Sequence, residues 1–131
     1  MKYMLVLVGP EGGDEDASPE EMKAVMDQWA SYSQELVDAG AFIAGEGLQE
    51  SANATTIRIS DEGERLATDG PFAETKEQVG GFYLVECENL DQAIEWAMKV
   101  PLRAGAVEVR PVMDYSEFGY EEPGATSTEA A

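Results

Sequence analysis

Two short segments of this chain are apolar on both faces at once, and this constrains the fold more than any other feature. Residues 2–8 read KYMLVLV, with Tyr3, Leu5 and Leu7 at one parity and Met4, Val6 and Val8 at the other. Residues 80–87, GGFYLVEC, behave the same way. Side chains alternate between the faces of a strand, so such strands must be covered on both sides. The rest of the chain offers two helical segments, enough to cover one face of a small sheet. A second copy of the same sheet is the simplest cover for the other face, which predicts a homodimer joined through its sheets.

The first helix is announced by Ser18-Pro19-Glu20-Glu21, a capping serine, a first-turn proline and a capping-box glutamate. Met22, Val25, Met26, Trp29, Leu36 and Val37 follow at three- and four-residue steps as the expected inner stripe, up to Gly40. Residues 41–48 and 55–60 read as strands, and residues 65–68 as a short extended piece. Asn89 starts a second helix with Leu90, Ala93, Ile94, Ala97 and Met98 as its inner face, and Pro101 stops it. Residues 106–112 form the last strand.

This order predicts an α+β domain, a split βαβ repeat with an extra hairpin in its middle, in which residues 3–8 and 82–85 are central. The domain is expected over residues 1–113. Residues 114–131 are polar, acidic and aperiodic, and predict a loosely ordered tail that Tyr115, Phe118 and Tyr120 can pin in part.

Charge and composition remove several functions. Eight basic against 27 acidic residues leave a net charge of −19, which repels nucleic acid and anionic lipid. No stretch is apolar for the ~18 residues of a membrane span and none reads as a signal peptide, so a cytoplasmic protein is expected. With no histidine, a Ser-His-Asp triad and a Cys/His zinc site are excluded. No metal or cofactor is expected. Residues 12–16, Gly-Gly-Asp-Glu-Asp, lack the ligand order of a calcium loop and read as solvated.

The densest motif is TDGPFAETKEQVGGFY, residues 68–83. It resembles the signature of the YCII-related, or DGPF, family, and Gly45-Glu46-Gly47-Leu48, Trp96-Ala97 and VEVRPV at 107–112 match in order around it. The resemblance implies a ferredoxin-like domain paired into a dimeric α/β barrel, a small-molecule pocket near the signature aspartate, and an association with alternative sigma factors. It also implies a His-Asp pair, which this histidine-free chain cannot supply.

Asp69 matches the signature aspartate, and the turn at Gly70-Pro71 fixes its direction. It can serve as a general base or ligand acceptor, or accept backbone N–H bonds and only hold the turn. Glu46, between two glycines at a strand end, can point into a pocket or mark a bulge. Two such carboxylates in one partly dry site would share a proton near neutrality. Gly70, Glu74, Arg58, Lys76 and Arg110 are the candidate ligand-binding residues, the basic ones to hold an anion. Surface ion pairing is their plainer role, including a cluster of Glu74, Lys76 and Glu77. Cys87 reads as a small buried residue.

Three functions remain open. One is a small-molecule-binding, regulatory module with a sigma-factor partner. Another is a cofactor-independent lyase or isomerase acting on a small organic acid, with Asp69 as base and Glu46 as acid. The third is a structural dimer without a site.

Overall fold

The computed structural model describes residues 1–12 and 16–121. The middle of the acidic loop and the end of the acidic tail, whose order was a sequence expectation, lie outside the described residues. The elements in order are β1 (Lys2–Pro10), α1 (Pro19–Asp38), β2 (Phe42–Gly47), β3 (Thr55–Ile59), β4 (Arg65–Asp69), β5 (Glu77–Glu86), α2 (Leu90–Met98) and β6 (Ala106–Pro111). The protein is an α+β fold with two helices and antiparallel sheets. β2, β5, β1 and β6 form a four-stranded sheet in that order, and β3 pairs with β4 in a separate two-stranded one. β1 and β5 are central, as their two-faced apolar pattern requires.

The register fixes what each face carries. Tyr3 stands opposite Val85 and Pro111, Leu5 opposite Tyr83 and Val109, Leu7 opposite Gly81 and Val107. These residues lie under the helices, where Leu5, Val85 and the helical Leu36 are fully buried. Burying one such side chain is worth about 1.5–3 kcal/mol. The opposite face pairs Met4 with Leu84 and Val6 with Phe82. No helix covers it, and these side chains are only half-buried.

α1 begins as its sequence predicts, with the Ser18 hydroxyl accepting the Glu21 N–H at 3.1 Å. Its inner stripe differs from the expected one. Met26 is 61% exposed and Val37 51%, while Tyr32 is buried. The stripe that meets the sheet runs Met22, Val25, Trp29, Tyr32, Leu36, and Tyr32 can take an inner place because its hydroxyl donates to the Trp96 carbonyl at 2.8 Å. α2 is capped by Asn89, which accepts the Gln92 N–H at 2.9 Å. Only Ala93 of its expected inner face is fully buried; Leu90, Ile94 and Met98 are exposed, and Trp96 packs inward, edge-on to Tyr32.

Past β6, Tyr115–Phe118 form a 3₁₀ turn capped by Asp114 where no local period was expected. Tyr115, Phe118 and Tyr120 are exposed. No helix among the described residues is long and apolar enough to cross a membrane.

Candidate functional site

A cavity of about 460 Å³ opens between the middle of α1 and the β2–β5 side of the sheet. α1 contributes Met26, Trp29 and Ser33, β2 contributes Phe42 and Gly45 to Gly47, and β5 contributes Gln78, Gly80, Phe82 and Tyr83. Leu7, Gly9 and Pro10 at the end of β1, with Leu102, complete the wall. The size falls within the range of about 300–1,000 Å³ typical of small-molecule sites.

The space exists because small residues occupy the strands beneath the helix. Gly47 stands opposite Gly81 in the ladder, on the face that carries Tyr83. A Cβ built on Gly47 would meet nothing within 4 Å, whereas one on Gly81 would lie 2.6 Å from the Glu46 carbonyl oxygen. Gly81 thus lets β2 approach, and Gly47 leaves the resulting hollow unfilled.

Aromatic rings form one side. Trp29 and Tyr83 are parallel within 8°, their centroids 6.5 Å apart, and Phe42 meets Tyr83 nearly edge-on at 6.4 Å. The polar groups are few: the Ser33 and Tyr83 hydroxyls are hydrogen-bonded at 2.8 Å. The Gln78 amide nitrogen donates to the Ala73 carbonyl at 2.9 Å and to Thr75 at 3.2 Å, tying the signature segment to the cavity wall. Next to Pro10 in the chain, the Glu11 carboxylate accepts the Ser51 hydroxyl at 2.5 Å and the Ser51 N–H at 2.7 Å, which holds Glu11 below the usual carboxylate range.

The residues singled out in the sequence do not converge here. Glu46 belongs to the wall, but it stands opposite Phe82 in the ladder, so its side chain is on the open face of the sheet. Asp69 ends β4, opposite Thr55, on the other sheet; it is exposed, and its carboxylate has no partner among the described residues. The signature turn is held by other groups. Gly70, with φ at 102°, donates its N–H to the Ala54 carbonyl and accepts from the Thr56 hydroxyl, both at 2.7 Å. Arg58 donates to the Phe72 carbonyl at 2.9 Å, and its guanidinium lies 5.3 Å from the centre of the Phe72 ring.

Arg110 ion-pairs with Glu108 on β6, at the far edge of the sheet from β2. Glu74 and Lys76 are exposed and form no ion pair among the described residues, so the expected cluster with Glu77 is not made. Cys87 is buried, and that burial, with Glu86 beside it, pushes its thiol up and away from nucleophilic use. Among the described residues no three His, Cys, Asp or Glu side chains stand together as a metal site. Sequence reasoning missed Trp29, Ser33, Gln78 and Tyr83 as site residues. The Gly45-x-Gly47 spacing and the Gln78 inside the signature were the signals available.

The comparisons agree with this architecture. The profile of the YCII-related domain matches residues 1–116. An uncharacterized protein of Rhizobium meliloti (strain 1021) is 36% identical over 118 residues, covering 88% of this chain and 94% of that protein. A family match over nearly the whole described chain, joined to a relative of almost the same length, leaves one conclusion: the chain belongs to the YCII-related domain family.

Proposed function

We propose that this YCII-related protein binds a small molecule in the cavity beneath α1 and works as a homodimer. The cavity carries the binding reading: it is largely apolar, it has a few placed hydroxyl and amide groups, and its wall is joined to the family signature through Gln78. The uncovered sheet face, with Met4, Val6, Phe82 and Leu84 half-buried on a single chain, supports pairing of two sheets into a ferredoxin-like dimeric barrel. A regulatory role beside an alternative sigma factor rests on the family resemblance.

The lyase or isomerase reading has less behind it. Asp69 and Glu46 lie on different sheets, and only Glu46 belongs to the cavity wall. None of the three basic candidates lines the cavity to hold an organic acid.

A thermal-shift screen of small organic molecules on the wild type and on Gly47→Leu tests the binding reading. The leucine side chain has room to enter the hollow, so ligands that stabilise the wild type should lose their effect in the variant. Hits that survive Gly47→Leu, or a broad screen without any, would overturn it.

A further inference from the structure

Three aromatic rings converge on the cavity without any cationic side chain among them. Tyr83 sits at the centre, parallel to Trp29 and edge-on to Phe42, and no lysine or arginine lines the wall. The acidic groups next to the wall outnumber the basic ones: Glu77 pairs with Pro10 across the ladder and Glu11 follows Pro10 in the chain, while Arg103 follows Leu102, and Glu46 lines the wall with its carboxylate on the open face of the sheet. Two of the basic residues expected to hold an anion are engaged elsewhere, Arg58 with the Phe72 carbonyl and ring and Arg110 with Glu108. Lys76, exposed on the signature segment, is outside the wall.

From this arrangement we infer that the cavity selects an organic cation, an ammonium carried on an apolar or aromatic body. The inference rests on the proposed use of the cavity for small molecules and names their class. Aromatic faces carry a negative quadrupole, so a desolvated ammonium gains against them what a neutral group of the same shape does not. The net charge of −19 enriches cations and depletes anions around the mouth before any contact forms. The apolar wall around Met26 and Leu7 takes up the body of the ligand, and the Ser33–Tyr83 hydroxyl pair offers it a hydrogen-bond partner.

The class is tested with three probes of similar size: benzyltrimethylammonium, the neutral alcohol 2-methyl-1-phenylpropan-2-ol, and phenylacetate. Each is titrated into the 15N-labelled protein while the Trp29 indole N–H is followed, its resonance told from that of Trp96 by Trp29→Phe. The expected result is a Trp29 shift with benzyltrimethylammonium, at an affinity about tenfold above that of the neutral alcohol. That preference should narrow as salt is added, no shift should occur with phenylacetate, and the ammonium response should vanish in a folded Gly47→Leu variant. Equal or tighter binding of the alcohol or of phenylacetate at Trp29 would overturn the cation assignment and leave the cavity as a small-molecule site. A Trp29 resonance that no probe moves would overturn both.

Discussion

The hydroxyl of Ser33 on α1 and that of Tyr83 on β5 are bonded at 2.8 Å across fifty positions of sequence, clamping helix to sheet beside the cavity. Tyr83→Phe keeps the ring stack with Trp29 and removes this bond, so it should cost about 1 kcal/mol in urea unfolding, as should Ser33→Ala. Because both changes delete one interaction, the double variant should cost about 0.5–1 kcal/mol less than the sum of the two.

Gly105 should be far more sensitive to alanine than Gly80. Gly105 has φ at 116°, and an added Cβ would lie 2.0 Å from the Val8 carbonyl oxygen, a contact that only a shift of the β1 end could relieve. Gly105→Ala should lose about 3 kcal/mol or more in equilibrium unfolding. A Cβ on Gly80 meets nothing within 4 Å, and Gly80→Ala should stay within about 0.5 kcal/mol of the wild type.

The signature turn should depend on Arg58 more than on Asp69. Arg58→Ala removes both the bond to the Phe72 carbonyl and the ring contact, so amide exchange at Gly70, whose N–H bonds Ala54, should speed up. Because the group is exposed, global stability should fall by less than about 1 kcal/mol. Arg58→Lys should recover little, since an ammonium does not reproduce a planar guanidinium that stacks and donates together. Asp69→Asn, with no partner to lose among the described residues, should unfold within about 0.5 kcal/mol of the wild type.

Alkaline conditions should destabilise the fold through Tyr32. Burial first, then the neighbouring Tyr83, Cys87 and Glu35, hold its phenol well above the ordinary tyrosine value. The unfolded chain therefore releases this proton more readily than the folded one. The stabilisation is complete below the unfolded value of about 10 and is lost as pH rises from there through the folded value. The raised Cys87 thiol acts with the same sign, starting from about pH 8.5. Urea midpoints should fall gently as pH rises past about 8.5 and more steeply above about 10, and Tyr32→Phe should flatten the part above about 10 while lowering stability at neutral pH through loss of the Trp96 bond.

Sedimentation at micromolar concentration should give a dimer, and Val6→Glu, at the middle of the uncovered face opposite Phe82, should give a monomer. A wild type that sediments as a monomer would contradict the pairing of sheets.

The strand arrangement was readable in the sequence because each central strand carries its own evidence: apolar residues at both parities in 2–8 and 80–87 mark these two strands as the middle of the sheet, where β1 and β5 lie. Helix starts were legible for the same local reason, as Ser18 and Asn89 show. The inner stripe of α1 was less so. Tyr32 between two serines looks like surface until the Trp96 carbonyl, contributed by α2, gives its hydroxyl a partner. The cavity could not be read from local pattern at all. It is a place where side chains are missing, made by Trp29, Gly47 and Tyr83 from three distant segments. Asp69 drew attention because its motif is dense, yet the density belongs to a turn on a separate hairpin.

That hairpin enters and leaves at one point. The Leu48 N–H donates to the Gly80 carbonyl at 2.8 Å, so the chain departs from β2 and rejoins β5 across a single bonded rung. β3 and β4 pair only with each other, and every residue of β4 faces solvent. Outside the Ser51–Glu11 bonds and the cavity-lining Gln78, changes confined to β3, β4 and their turn should leave the helix-covered core to close as before. The tip at Gly63 is a ready socket for grafted epitopes or for new chain ends in a circular permutant.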